Sequence, residues 1–199
     1  MGVILSNNTF KLHQKVVDQV LHHSSQSVRA VPHSRRQQSL TFEAEVNTSY
    51  PMTDLTVANG GEVVVFNRTT KLRPGSDGRG RATLADAASG LINILAPGLV
   101  EISWAVAVHS VGTGGIDLWQ TSLEMSKDNG LTYTIADNPV RAYNYHVDLD
   151  VSVVSPPRKF QVVRGDIWRV RLFTISNTAG GGDTAQVTAN GTYFTMRTI

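Results

Sequence analysis

Four polar residues at alternate positions form the densest group of metal-ligand types in the chain. They are Asn144, His146, Asp148 and Asp150, and they interleave with an apolar series. On a β-strand, residues two apart project to the same side, so His-x-Asp-x-Asp could gather a divalent cation. Same-face neighbours lie about 7 Å apart, however, and one strand cannot close a coordination shell alone. A solvated or subunit-facing polar face is favoured, so we assign no metal ligands, and cation binding by His146, Asp148 and Asp150 stays open.

The tripeptide Arg164-Gly165-Asp166 matches the integrin-binding sequence. The same three residues also suit a tight turn, because glycine adopts positive φ at no steric cost and aspartate bonds nearby backbone groups. The flanking apolar runs are typical of two strands joined by a short connection. We therefore predict a turn at this position.

The residue types needed for catalysis are sparse. The chain has no cysteine, which excludes a thiol nucleophile and a cysteine-ligated zinc site. No Gly-x-Ser-x-Gly elbow of a serine hydrolase is present. A glycosidase needs two carboxylates close together, and the sequence alone does not show whether a pair such as Glu101 and Glu124 meets. We predict that the protein is not an enzyme, with no catalytic residues and no cofactor.

The composition favours β-structure. Among 199 residues, 41% are hydrophobic, and the chain contains 24 Val and 19 Thr. Both side chains are branched at Cβ and suit a pleated surface. No apolar run approaches the ~18 residues of a membrane-spanning helix, so we expect no membrane association.

Residues 1–39 are predicted to form an extended arm that carries a short amphipathic helix over about 9–23. Residues 1–42 hold five of the basic side chains and one acid, but these charges are too dilute for a nucleic-acid arm. A short helix of this kind needs a surface to pack on. We therefore expect docking on another protein, and the candidate docking residues are Leu12, Val16, Val17, Val20, Leu21, Arg29, Arg35 and Arg36.

Residues 40–199 are predicted to form one antiparallel sandwich or barrel of nine or ten strands, because short apolar runs alternate with turn residues and no helical pattern intervenes. The longest alternation runs from Tyr143 to Val153 and predicts a single strand ended by Pro156-Pro157. Lys127-Asp128-Asn129-Gly130 predicts a hairpin with a primed turn. Residues 68–81 and 178–191 are predicted to be loops.

Three segments resemble the jelly roll of the tumour-necrosis-factor and complement globular-head superfamily. They are residues 97–104 (PGLVEISW), 160–170 (FQVVRGDIWRV) and 191–196 (GTYFTM). In that family a Pro-Gly strand carries the core, a Gly-Asp turn precedes a long strand, and an aromatic strand ends the chain. Val100 stands where the family usually has an aromatic residue. The resemblance covers about residues 84–199 and implies a jelly-roll β-sandwich.

Residues 122–133 (SLEMSKDNGLTY) resemble a hairpin of virion proteins from tailed bacteriophages, which use such jelly rolls as trimeric knobs. This resemblance implies a homotrimer whose interface is lined by apolar strand residues. The candidate interface residues are Tyr143, Tyr145, Trp168, Tyr193 and Phe194.

The resemblances together imply a structural virion protein. We expect a trimeric capsid decoration, or cement, protein on the virion surface, docked by its arm on the major capsid protein or other virion proteins. One alternative is the receptor-binding head of a tail fibre, at the fibre tip, with a host receptor as its partner. A further alternative is the jelly-roll coat protein of a small virus with residues 1–42 on the genome, although we expect no nucleic-acid binding.

Overall fold

The computed structural model describes residues 41–53, 55, 60–72, 82–86, 88–110, 117–144, 150–177, 185–189 and 191–199. Within these ranges the chain forms β-strands and turns and no helix, which confirms the all-β class. All of them belong to one unit, Ser39–Ile199. The predicted arm, its helix over about 9–23 and its docking residues lie outside the described residues, so they stay predictions.

Eight strands form the first sheet, hereafter sheet 1. They are β1 (Thr41–Glu45), β2 (Tyr50–Met52), β4 (Arg68–Leu72), β7 (Gly98–Ser110), β11 (Asp150–Val154), β12 (Arg158–Val162), β14 (Ala185–Val187) and β15 (Tyr193–Thr198). The long strand β7 is central: β15 and β14 pair with it along one side, and β12 and β11 pair with it along the other. All of these pairings are antiparallel.

Seven strands form the second sheet, hereafter sheet 2. They are β3 (Glu62–Val63), β5 (Ala82–Asp86), β6 (Leu91–Ile94), β8 (Asp117–Ser126), β9 (Thr134–Ile135), β10 (Val140–Asn144) and β13 (Ile167–Asn177). Their order is β10-β8-β13-β6-β5, with β3 paired to β13 and β9 paired to β8. Strands β8 and β13 pair over most of their length and form the backbone of this sheet.

The core lies between the two sheets and follows from the two-residue period of the strands. On β7, Val100, Ile102, Trp104, Val106 and Val108 are all fully buried and point toward sheet 2. A β-strand buries every second side chain against a facing layer, so this register commits the intervening residues to the opposite side.

One polar contact crosses the core between the sheets. The indole Nε1 of Trp104 on β7 donates a hydrogen bond of 3.0 Å to Oγ1 of Thr121 on β8. Both side chains are buried, and a buried indole N–H without an acceptor would lose its hydration with no replacement. This hydrogen bond therefore helps to fix the lateral position of one sheet on the other.

The single strand predicted from Tyr143 to Val153 is wrong. Tyr143 lies on β10, which pairs with β8 in sheet 2, whereas Val153 lies on β11, which pairs with β7 in sheet 1. Residues 145–149 between them lie outside the described residues. An alternating pattern reports that each piece has one buried face, and it carries no information on whether both pieces face the core from the same sheet.

Several short strands were not predicted. The loops predicted at 68–81 and 178–191 contain β4 and β14, while β2 and β5 fall in segments with no strand prediction. In the apolar run 62–67, only Glu62 and Val63 pair as a strand. These strands are three to five residues long and obtain their stability from the neighbour on which they pair, for which a single-sequence pattern has no signal.

Two prolines break the edge strand of sheet 1 as predicted. Strand β11 ends at Val154 opposite Ala105, and β12 begins at Arg158 opposite Ile102. Three residues, Ser155 and the two prolines after it, therefore face two residues of β7. Proline has no N–H for a ladder, and the extra residue makes this point a β-bulge.

The hydroxyl of Tyr50 connects β2 to Val65 of the same chain, and we expect this contact to stabilise the fold. Its Oη accepts a hydrogen bond of 2.6 Å from the backbone N–H of Val65. We expect Tyr50→Phe to lower the free energy of unfolding by about 1 kcal/mol, because that N–H loses its acceptor. Urea unfolding followed by circular dichroism measures the change.

Because the Tyr50 hydroxyl is buried, we also expect the folded protein to lose stability in alkali. Burial raises the pKa of Tyr50 from 10.0 to about 12, against the smaller lowering effect of the Val65 N–H. A raised folded-state pKa contributes stability that is present below pH 10 and is lost as the pH rises through about 12. Tyr50→Phe should therefore show a smaller fall in stability across this window than the unsubstituted chain, and equal slopes would contradict the assignment.

Candidate assembly surface

The face of sheet 1 that points away from the core, hereafter the outer face, is crossed by rows of matched side chains. The odd-numbered residues of β7 form its centre, because the even-numbered ones enter the core. Strands β15 and β1 extend each row on one side, and β11 and β12 extend it on the other. The register therefore decides which residues stand side by side.

An apolar row crosses the middle of the outer face. Tyr193 on β15 pairs with Ala105 on β7, and Ala105 pairs with Val154 on β11. Tyr193 is 40% exposed and Val154 is 52% exposed, while the small Ala105 between them is 2% exposed. Two large, partly exposed apolar side chains thus flank a small alanine that is itself buried.

Polar rows border this apolar row on one side. Ser103 and Thr195 pair across β7 and β15, and their hydroxyls are 2.6 Å apart. In the following row, Glu101 stands between Arg197 on β15 and Lys159 on β12. The alternating charges of this row leave one net positive charge on the surface.

Leu99 and Ile199 form a second apolar pair at one end of the outer face. The backbone N–H of Ile199 donates to the carbonyl of Leu99, which continues the pairing of β15 with β7. Both side chains are exposed and lie on the same face as Tyr193. Exposed apolar residues therefore occur at two levels of this face, separated by the polar rows.

The predicted cation series is only partly within the described residues. Asp150 lies on β11 opposite His109 of β7, and His109 Nδ1 is 3.1 Å from Asp150 Oδ1. His146 and Asp148 lie outside the described ranges. Among the residues that the structure describes, no group of three or more His, Asp or Glu side chains is placed to hold a metal ion.

The predicted turn at Arg164-Gly165-Asp166 is confirmed. Gly165 has a φ of 93°, and its N–H donates to the carbonyl of Ile94. The Asp166 side chain is turned inward: the residue is 5% exposed, and Oδ2 accepts a 2.8 Å hydrogen bond from the N–H of Val163. A carboxylate held in this way stabilises the turn and is not presented to a receptor.

The candidate interface residues fall in different places. Tyr193 lies on the outer face, and Tyr143 is exposed on β10 of sheet 2. Trp168 and Phe194 are 1% and 0% exposed and lie in the core, while Tyr145 is outside the described residues. Val154 and Ala105, which stand in one row with Tyr193, were not among these candidates, since no periodicity tells which side of a buried strand becomes a surface.

The opposite surface of the sandwich is charged and internally paired. Glu124 Oε2 accepts a 2.7 Å hydrogen bond from Arg169 and lies 3.4 Å from Nε of Arg171. The Arg169 guanidinium also sits 3.4 Å from the ring centroid of Tyr133. Glu101 points out from sheet 1 and Glu124 from sheet 2, so these two carboxylates face away from each other and cannot act as a pair.

This arrangement of two sheets is similar to that of several solved structures. Eiger TNF from S. frugiperda is similar with a TM-score of 0.53 and 11% identity, over 81% of this chain and 91% of that chain. The fold is a jelly roll of the tumour-necrosis-factor type. Murine APRIL is similar with a TM-score of 0.52 and 13% identity, over 81% of this chain and 100% of that chain.

The globular domain of zebrafish complement 1qA protein also matches, with a TM-score of 0.40 and 12% identity, over 80% of this chain and 97% of that chain. No protein-family model and no curated protein sequence matches the chain. The likeness to Eiger TNF and murine APRIL confirms the jelly roll expected from residues 97–104, 160–170 and 191–196 as a fold. In the described part of the chain, no helix is long and apolar enough to cross a membrane.

Proposed function

We propose that this protein is a non-catalytic assembly protein whose jelly roll forms a homotrimer through the outer face of sheet 1. The observation that supports it is the row Tyr193, Ala105 and Val154, two exposed apolar side chains around a small, buried alanine. Exposed apolar patches bordered by polar residues are typical of protein–protein interfaces.

The outer face of sheet 1 suits this role better than that of sheet 2. On sheet 2 the central charges of Glu124, Arg169 and Arg171 are already satisfied within the chain. On sheet 1 the side chains of Tyr193 and Val154 are 40% and 52% exposed and uncharged, so a second subunit could cover them without desolvating an ion. In a symmetric assembly, Glu101 of one subunit can also meet Lys159 or Arg197 of the next, which would fix the register of packing.

The trimer is further proposed to be a capsid decoration protein that docks on the coat lattice through residues 1–39 and stabilises the head. The sequence resemblance of residues 122–133 to phage virion proteins supports the virion role. A knob with one face used for trimerisation and a separate arm for docking would reinforce a shell without chemistry of its own.

Two measurements test the two parts separately. Light scattering of the purified full chain should give three times the protomer mass of 21.6 kDa. Electron microscopy of intact virions that contain the protein, labelled with antibody against the chain, should show the label over the surface of the capsid head. A single-protomer mass contradicts the trimer, and label confined to the tail tip contradicts decoration and supports the receptor-binding alternative.

A further inference from the structure

Three Asn-Gly pairs occur in the chain, at Asn59-Gly60, Asn129-Gly130 and Asn190-Gly191. Such pairs are prone to a specific reaction, because glycine has no Cβ to hinder its own backbone nitrogen. That nitrogen attacks the side-chain carbonyl carbon of the asparagine. A carbon–nitrogen bond forms, ammonia leaves with the transferred proton, and water then opens the succinimide to aspartate or isoaspartate.

The turn at Asn129-Gly130 holds the attacking nitrogen in place. Asn129 and Gly130 have φ values of 60° and 88°, as the predicted primed turn requires. The N–H of Gly130 donates a 2.8 Å hydrogen bond to Oγ of Ser126. The nitrogen must lose this proton and turn toward the Asn129 side chain to react, and the hydrogen bond opposes both changes.

The acceptor for that hydrogen bond is itself fixed. The Ser126 hydroxyl donates to Oδ1 of Asp128 at 2.6 Å, and Asp128 also accepts from the N–H and the hydroxyl of Thr132. Because the hydroxyl proton is committed to Asp128, the oxygen lone pairs of Ser126 face the Gly130 N–H. The side-chain hydrogen bond from Ser126 and those from Thr132 lower the pKa of Asp128 to about 2. The Asp128 carboxylate, which accepts the Ser126 proton, is therefore ionised at neutral pH.

We propose that Asn129-Gly130 is a latent deamidation site that the hydroxyl of Ser126 keeps closed. Opening of this one hydrogen bond, rather than unfolding of the domain, controls the rate of succinimide formation. The isoaspartate product would add a backbone carbon to the connection between β8 and β9. It would also place a carboxylate beside Asp128, so the β8–β9 hairpin and the stacking of Tyr133 on Arg169 would be disrupted.

Mass spectrometry of the full chain, incubated at mildly alkaline pH and then digested, tests this. We expect Ser126→Ala to raise the deamidation rate at Asn129 about tenfold, which corresponds to one hydrogen bond of about 1.4 kcal/mol. Rates at Asn59 and Asn190 in the same sample should stay as in the unsubstituted chain. Equal rates at Asn129 in both chains would overturn the proposal.

Two matched variants separate the hydrogen bond from general loosening. Ser122→Ala removes a buried hydroxyl from the same strand, one that has no hydrogen-bond partner within the described residues, and should leave the Asn129 rate unchanged. Thr132→Ala loosens the turn through Asp128 but keeps the Ser126 acceptor, and should raise the rate less than Ser126→Ala. An equal or larger rise in either variant would overturn the proposal.

Hydrogen exchange gives a readout that needs no variant. The Gly130 amide of the unsubstituted chain should exchange more slowly than an exposed turn amide, because it is bonded to Ser126. Exchange at the rate of an unstructured peptide would show that the hydrogen bond does not hold the amide, and the proposal would fail even if Ser126→Ala could not be purified.

Discussion

Replacing Phe194 with alanine is expected to lower the free energy of unfolding by about 3–5 kcal/mol. Phe194 is completely buried on β15, and its ring lies 6.2 Å from that of Phe42 and 6.0 Å from that of Phe66. These contacts join β1 and β15 to the segment after β3. The alanine variant loses the buried apolar area and also leaves a cavity that the two remaining rings cannot fill.

Chemical unfolding of the full chain measures this loss, with Leu131→Ala as the matched control. Leu131 is 84% exposed in the β8–β9 connection, so its removal should change stability by less than about 0.5 kcal/mol. A Phe194→Ala loss no larger than that of Leu131→Ala would mean that the aromatic cluster does not hold the sandwich together.

Replacing Val154 with arginine is expected to dissociate the proposed trimer into single protomers. Val154 is 52% exposed on β11, so the new side chain fits the isolated chain without strain. In the proposed assembly the guanidinium would be buried against a neighbouring subunit, and an uncompensated buried charge costs about 3–5 kcal/mol. Association should therefore weaken by more than about 100-fold, which light scattering detects as a fall from three protomer masses to one.

Ile135→Arg is the matched control for this substitution. Ile135 is also an exposed β-branched residue, 59% exposed, but it lies on sheet 2 opposite Glu124. The Ile135 variant should remain trimeric, and both variants should keep the circular dichroism spectrum of the unsubstituted chain. If Val154→Arg stays trimeric, or if Ile135→Arg alone dissociates, the interface does not lie on the outer face of sheet 1.

Neighbouring residues on β15 show how far the sequence pattern reaches. Alternation correctly predicts that Tyr193 and Phe194 point to opposite faces of a strand. It does not say which of the two faces is the core, and on this rule at most one of the two interface candidates could lie on an outer face. Phe194 is the buried one because its register on β7 places it opposite Trp104, which enters the core.

Local chemistry explains the features that could be predicted. The primed turn at Asn129-Gly130 and the turn at Gly165-Asp166 depend on residues that tolerate positive φ, and both are present. The β-strand class follows from the Val and Thr content and from the short alternating runs. The break at Pro156-Pro157 follows from the missing N–H of proline.

The sequence by itself therefore determined the strand type, the sharp turns and the alternation of buried and exposed side chains, because these depend on neighbouring residues and on backbone sterics. Only the tertiary structure decided that the run from Tyr143 to Val153 divides between two sheets and that Trp168 is core. It also decided that Tyr193, Ala105 and Val154 stand in one row. These outcomes depend on pairing between strands distant in the chain, and a pattern of period two is the same whichever partner a strand finds.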